Sequence, residues 1–177
     1  LAVGLWVKAS APEISQTIDL YLGPPLAGTG IVGQTFEGDC DSLNRIDLTL
    51  GVLNDQHDQP VTFYLATDLT TEQILYSETF PGTAITDYQQ KSFWFPPIAD
   101  SAGRTFFLFL SSPTSTPQNG ITVRGYSDAP VDRYPAGQAV AGRPGSLQPI
   151  QADIAFKAFC EMSILERMWR VVREILP

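Results

Sequence analysis

Residues 31–48 read IVGQTFEGDCDSLNRIDL and place Glu37, Asp39 and Asp41 within five positions, just past an apolar alternating run. Carboxylates this close have three candidate uses. With backbone carbonyls they form a hard oxygen set suited to Ca2+. Facing each other across a cleft they serve glycoside hydrolysis, at separations of about 5 Å or 6.5–9.5 Å. In a turn they accept hydrogen bonds from nearby backbone N–H groups. The spacing is not that of an EF-hand, because counting from Asp39 the fifth position is Leu43 and the sixth is Asn44, where Asp or Asn and then Gly belong. A turn supplies no opposite cleft wall, so the hydrolytic use is the weakest of the three. Asp39 and Asp41 are therefore candidate Ca2+ ligands, set against a plain acidic turn.

Other reactive groups are sparse. His57 is the only histidine and lies in a polar run, NDQHDQP, where solvation is the expected state. There are two cysteines, Cys40 and Cys160, and no CxxC pair, so neither a zinc site nor a thioredoxin-like motif is indicated. The sequence contains no GxSxG, no HExxH and no glycine-rich phosphate loop. The expectation is a domain without catalytic machinery of its own, whatever a longer parent chain does. Sugar binding needs a ring to stack on a sugar's apolar face, with polar groups beside it for the hydroxyls. Trp94, Tyr126, Arg133 and Tyr134 are the candidates, with core packing as the competing role for Trp94.

The elements that would position these groups are strands. Alternation of period two runs through 14–22, 31–37, 43–52, 60–67, 73–80, 90–95, 104–111, 120–126 and 152–159, separated by turn-rich gaps such as PGT and PPIADSAG. Asp100 to Gly103 fits a type I turn. Short strands at this spacing without helices between them predict an all-β, antiparallel sandwich or barrel. Phe106 and Leu108 alternate with Phe107 and Phe109, and Phe93 and Phe95 flank Trp94, so these strands are expected to be central, with both faces covered. Residues 127–151, with four prolines and three glycines, are expected to form a long loop, functional or flexible. The end, SILERMWRVVREILP, reads as an amphipathic helix with Ser163 and Glu166 as a capping box. This divides the chain into a β domain over 1–160 and a helix over 161–177, packed on the sandwich, on a partner or second copy, or on a membrane.

The chain has 177 residues, enough for one domain with a sizeable core. Its net charge of −8 argues against nucleic acid, which requires a basic surface. Leu1 stands where a start methionine would be, so a piece of a longer chain or a processed product is expected. The opening LAVGLWV is too short to span a bilayer and lacks a basic leader, and reads as a first strand or as the tail of a preceding membrane segment.

Three blocks, VGQTFEGDCDSLNRIDLTL, FWFPPIADSAGRTFFLFLSSP and ADIAFKAF, together resemble bacterial extracytoplasmic domains of multi-pass, glycosyltransferase-related or uncharacterised membrane proteins. The resemblance implies a galactose-binding-like jelly roll, a periplasmic or cell-surface location and an association with glycans. It also implies that strand 31–37 pairs with strand 152–159. That pairing would bring Asp153 to Asp39 and Asp41, completing a structural Ca2+ set, and would put Cys40 and Cys160 at opposite ends, against a disulfide between them. The expected function is a non-catalytic, glycan- or envelope-binding domain beside a flanking membrane domain. The alternative is an assembly module without a small ligand, self-associating through the C-terminal helix.

Overall fold

The computed structural model describes residues 6–8, 14–53, 57–127 and 132–163. They form fourteen strands: β1 Trp6–Lys8, β2 Ile14–Gln16, β3 Tyr21–Leu22, β4 Ile31–Glu37, β5 Leu43–Val52, β6 Pro60–Ala66, β7 Ile74–Pro81, β8 Gln89–Ile98, β9 Thr105–Ser111, β10 Ile121–Tyr126, β11 Ala139–Arg143, β12 Ser146–Pro149, β13 Asp153–Ile154 and β14 Phe156–Ser163. One sheet has the order β12-β11-β4-β9-β6-β7. The other runs β1-β14-β5-β10-β13, with β2 on β14, β3 on β10 and β8 on β5. The strand pairings are antiparallel, and the two sheets share one core, making a β-sandwich.

Alternation explains the layering. In β9, Phe106, Leu108 and Leu110 point into the main core and meet Ile46, Leu48 and Phe93 of the facing sheet. Phe107 and Phe109 point the other way, into a second cluster with Ile31, Ala66 and Val140, against which Tyr64 and Leu147 pack. The expectation of a central strand covered on both faces therefore holds for β9, which lies between β4 and β6. It does not hold for β8, which pairs only with β5 among the described residues and leaves Trp94 39% exposed.

Five further expectations change. Strand β4 pairs with β9 and β11, whereas β14 pairs with β1, β2 and β5, so the implied partnership of 31–37 with 152–159 is absent. Cys40 and Cys160 are joined in a disulfide, with Cα atoms 6.3 Å apart. The reason is the β14–β5 register: Cys160 lies opposite Leu43, three residues beyond Cys40. Residues 139–149 are a hairpin, not a loop. Arg143 pairs with Ser146 around Pro144 and Gly145, and Gly145 takes φ 81°, as the third residue of a type II turn requires. The turn near Asp100 closes one residue late, with Arg104 N–H donating to the Ser101 carbonyl. Of the expected C-terminal helix, residues 161–163 belong to β14, Ser163 lying opposite Trp6 of β1; residues 164–177 lie outside the described residues.

Candidate functional site

The acidic stretch is a braced turn. Ser101, fully buried, donates from its hydroxyl to the Cys40 carbonyl at 2.6 Å and accepts from Leu43 N–H at 3.0 Å. Asp41 accepts from Ala102 N–H at 3.3 Å, and Gly38 and Gly103 close the ladder beside it. Asp153 is occupied elsewhere: its Oδ2 accepts from the N–H groups of Arg133 and Tyr134 at 2.9 and 3.1 Å. Gln34 donates to its other oxygen at 3.5 Å and accepts from Ile154 N–H at 3.1 Å, tying the two sheets together. Asp39, Asp41 and Asp153 therefore do not assemble. Among the described residues no three His, Cys, Asp or Glu side chains gather to hold a metal ion. His57 donates from its ring to the Ile85 carbonyl at 3.0 Å, a more specific role than a solvated loop residue has.

Three of the four expected glycan contacts do come together, around Asp153. The Arg133 guanidinium lies 4.8 Å from the Tyr126 ring centre and donates to its hydroxyl at 3.4 Å. Tyr134 sets its ring edge-on to Phe156, and its hydroxyl accepts from Glu37 N–H at 3.3 Å. Burial pushes the Tyr134 phenol above its ordinary pKa, so it stays protonated at neutral pH. Trp94 does not join them; it lies opposite Arg45, near the start of β5.

The outer face of the larger sheet carries the more organised surface. Since Ile46, Leu48, Phe93 and Phe156 fill the core, alternation turns Arg45, Asp47, Thr49, Ser92, Trp94, Lys157 and Phe159 outward. They fall into cross-strand rows. Phe159, Arg45 and Trp94 face one another across β14, β5 and β8, as do Lys157, Asp47 and Ser92 one step along. The Arg45 guanidinium stacks 3.4 Å from the Phe159 ring centre and 4.7 Å from that of Trp94, while pairing with Asp47 at 3.1 Å.

At the other end of β5 the turn 86–89 supplies a residue the sequence reading passed over. Gln89 N–H closes the turn on the Thr86 carbonyl at 3.2 Å, and the Thr86 N–H donates to the Gln89 side-chain oxygen at 2.7 Å. Tyr88, third in this turn, has φ 59°, a conformation normally left to Gly or Asn and costly for a bulky side chain. It is nevertheless 54% exposed. Its ring rests on the Arg124 guanidinium, 3.3 Å from the ring centre, and Arg124 is itself buried. Asp87 grips that guanidinium with both oxygens, at 2.6 and 2.8 Å, and this hydrogen bonding holds its carboxyl below the ordinary range. Gly51 makes the arrangement possible, since a Cβ there would sit 3.0 Å from Arg124 Nε and 3.1 Å from Asp87 Oδ1. Beside Tyr88 opens a shallow cavity of about 260 Å³ whose lining includes Thr17, Asp19, Thr49, Gln90 and Lys157.

Chemically, this is an aromatic platform backed by a fixed cation, next to hydroxyls, an amide, a carboxylate and an ammonium. Such a set can stack one face of a ring and exchange hydrogen bonds with hydroxyls around its rim. No signal in TDYQQ marks Tyr88, because a positive φ at tyrosine and a partner 36 residues away in sequence leave no local pattern. No protein-family model matches the sequence, and no curated protein matches it either.

Proposed function

We propose that the chain is a non-catalytic carbohydrate-binding domain of galactose-binding-like jelly-roll type, on the extracytoplasmic side of a membrane-associated bacterial protein. The observation that carries the binding role is Tyr88: an exposed ring held on strained backbone, backed by a buried arginine that pairs with the exposed Asp87, and bordered by a polar cavity. Strain retained at an exposed aromatic residue is characteristic of binding sites, where the side chain's position matters more than local stability. The Cys40–Cys160 disulfide supports an oxidising compartment. The bacterial and membrane-associated context rests on the resemblance of the three sequence blocks.

A glycan array probed with the purified domain tests the reading, followed by titration of intrinsic fluorescence with any soluble hit. The expected result is saturable binding that Tyr88→Ala removes. An array with no hits, or binding indifferent to Tyr88, overturns it.

An assembly module without a small ligand is the second reading. It is favoured by Ile74 and Leu75, exposed on edge strand β7, beside an apolar cavity of about 290 Å³ lined by Tyr64, Phe109 and Pro113 among others. Sedimentation showing a dimer that Ile74→Ser dissociates would favour it.

A further inference from the structure

We infer that the ligand is a linear polysaccharide bound along its length, several sugar units at a time, rather than a terminal saccharide. This deepens the proposed function and rests on it. The argument starts from the edge strand. Tyr88, Gln90, Ser92 and Trp94 succeed one another at intervals of two, and all four are exposed. Alternation puts Gln90, Ser92 and Trp94 on one face of β8, and the contact with Arg124 puts Tyr88 on that same outer face. At about 3.3 Å per residue, the two aromatic ends stand roughly 20 Å apart. That span exceeds any single pyranose ring and matches a run of several.

The track between them is polar and open. Gln90 and Ser92 offer hydrogen bonds to hydroxyls along the chain, with Thr49 beside Gln90 on the neighbouring strand. Among the described residues β8 pairs with β5 alone, so the track runs along a sheet edge. Charge along the face is largely balanced: Arg45 pairs with Asp47, Arg124 with Asp87, and Lys157 lines the same cavity as Asp19. The balance fits an uncharged polysaccharide. Flat, equatorially linked sugars, whose apolar faces can stack at both aromatic ends, fit the two rings best.

The test is calorimetric titration with neutral β-1,4-linked gluco-, manno- and xylo-oligosaccharides, from disaccharide to hexasaccharide. The expected result is affinity that climbs at least tenfold between disaccharide and hexasaccharide in one series. Trp94→Ala should cancel that gain with length, while Tyr88→Ala removes binding at every length. Thermal melts of both variants verify folding, and the wild-type length series stands without them. Affinity already complete at the disaccharide, or a hexasaccharide indifferent to Trp94→Ala, overturns the inference while glycan binding survives. If these series are silent and an array shows binding only to terminal or charged saccharides, the inference falls alone. If the array is silent too, the proposed function falls with it.

Discussion

The guanidinium of Arg124 lies 3.3 Å from the ring centre of Tyr88, on a strand whose nearest covalent path to that ring is 36 residues long. The contact binds the exposed turn to a buried cation and holds the ring in place before any ligand arrives. It also separates two quantities that mutation usually confounds. Tyr88→Ala and Tyr88→Gly both remove the platform, but only glycine relieves the positive φ. The left-handed conformation costs a non-glycine residue roughly 1–2 kcal/mol. Urea denaturation should therefore find Tyr88→Gly more stable than Tyr88→Ala by about 1 kcal/mol, with ligand binding lost in both. Equal stabilities would mean that the turn is unstrained.

Asp87 makes the same platform sensitive to acid. Its folded pKa is depressed, chiefly by its hydrogen bonds to Arg124. Its contribution is present in full above the unfolded carboxylate range, near pH 4, and is lost as pH falls through the lower folded value. In that window the unfolded chain binds the extra proton, so stability declines with falling pH. Asp87→Asn should destabilise the protein at pH 7 and cost progressively less towards pH 2. A wild-type-minus-variant difference that stays constant from pH 7 to pH 2, by urea denaturation, would refute the linkage.

The disulfide between Cys40 and Cys160 closes a loop of 120 residues around most of the sandwich. Removing such a cross-link costs about 2–5 kcal/mol through the entropy returned to the unfolded chain. At this size each kcal/mol moves the midpoint about 2–4 °C, so Cys40→Ser/Cys160→Ser should melt on the order of 10 °C lower than wild type. Labelling of unreduced wild-type protein by a thiol reagent under denaturing conditions would show that the bond does not form.

Asp153 should act as a loop clasp and not as a cation ligand. Asp153→Ala orphans the Arg133 N–H and takes an acceptor from the Gln34 amide, while the Tyr134 N–H keeps Asp132 Oδ1 at 2.9 Å; the cost should be roughly 1–3 kcal/mol. The loss should be the same in EDTA and in millimolar Ca2+, and wild-type melts should not separate between those buffers. A calcium-dependent rise of several degrees, abolished by Asp39→Ala, would restore the metal reading.

Much of the architecture is legible in the sequence, and the reason is period two. Residues 31–37 and 43–52 announce their strands because one face must be apolar, and Phe106 to Phe109 announce a central one because both faces are. What escapes is whatever depends on partners distant in sequence. The hairpin at 139–149 was hidden by its composition, although Pro144-Gly145 is a turn signal in its own right. The Cys40–Cys160 bond depends on β14 pairing with β5, a choice of neighbour that alternation cannot express. Trp94 looked like core because Phe93 and Phe95 enclose it, yet β8 lies at an edge, where the outer face stays wet. Of the candidate site, Trp94 was visible as a residue type; Tyr88, Arg124 and Asp87 were not, since their significance is a matter of backbone strain and stacking.

The cross-link also decides how the molecule answers mechanical load. Tension applied at residues on either side of the 40–160 loop reaches Cys40 and Cys160 and passes through the sulfur bridge, bypassing the strands between them. Those 120 residues would otherwise surrender about 400 Å of contour length on extension. While the bridge holds, that slack is locked, and only the segments outside the loop can lengthen under the pull. A reducing environment would turn the same domain from an inextensible link into a long compliant one.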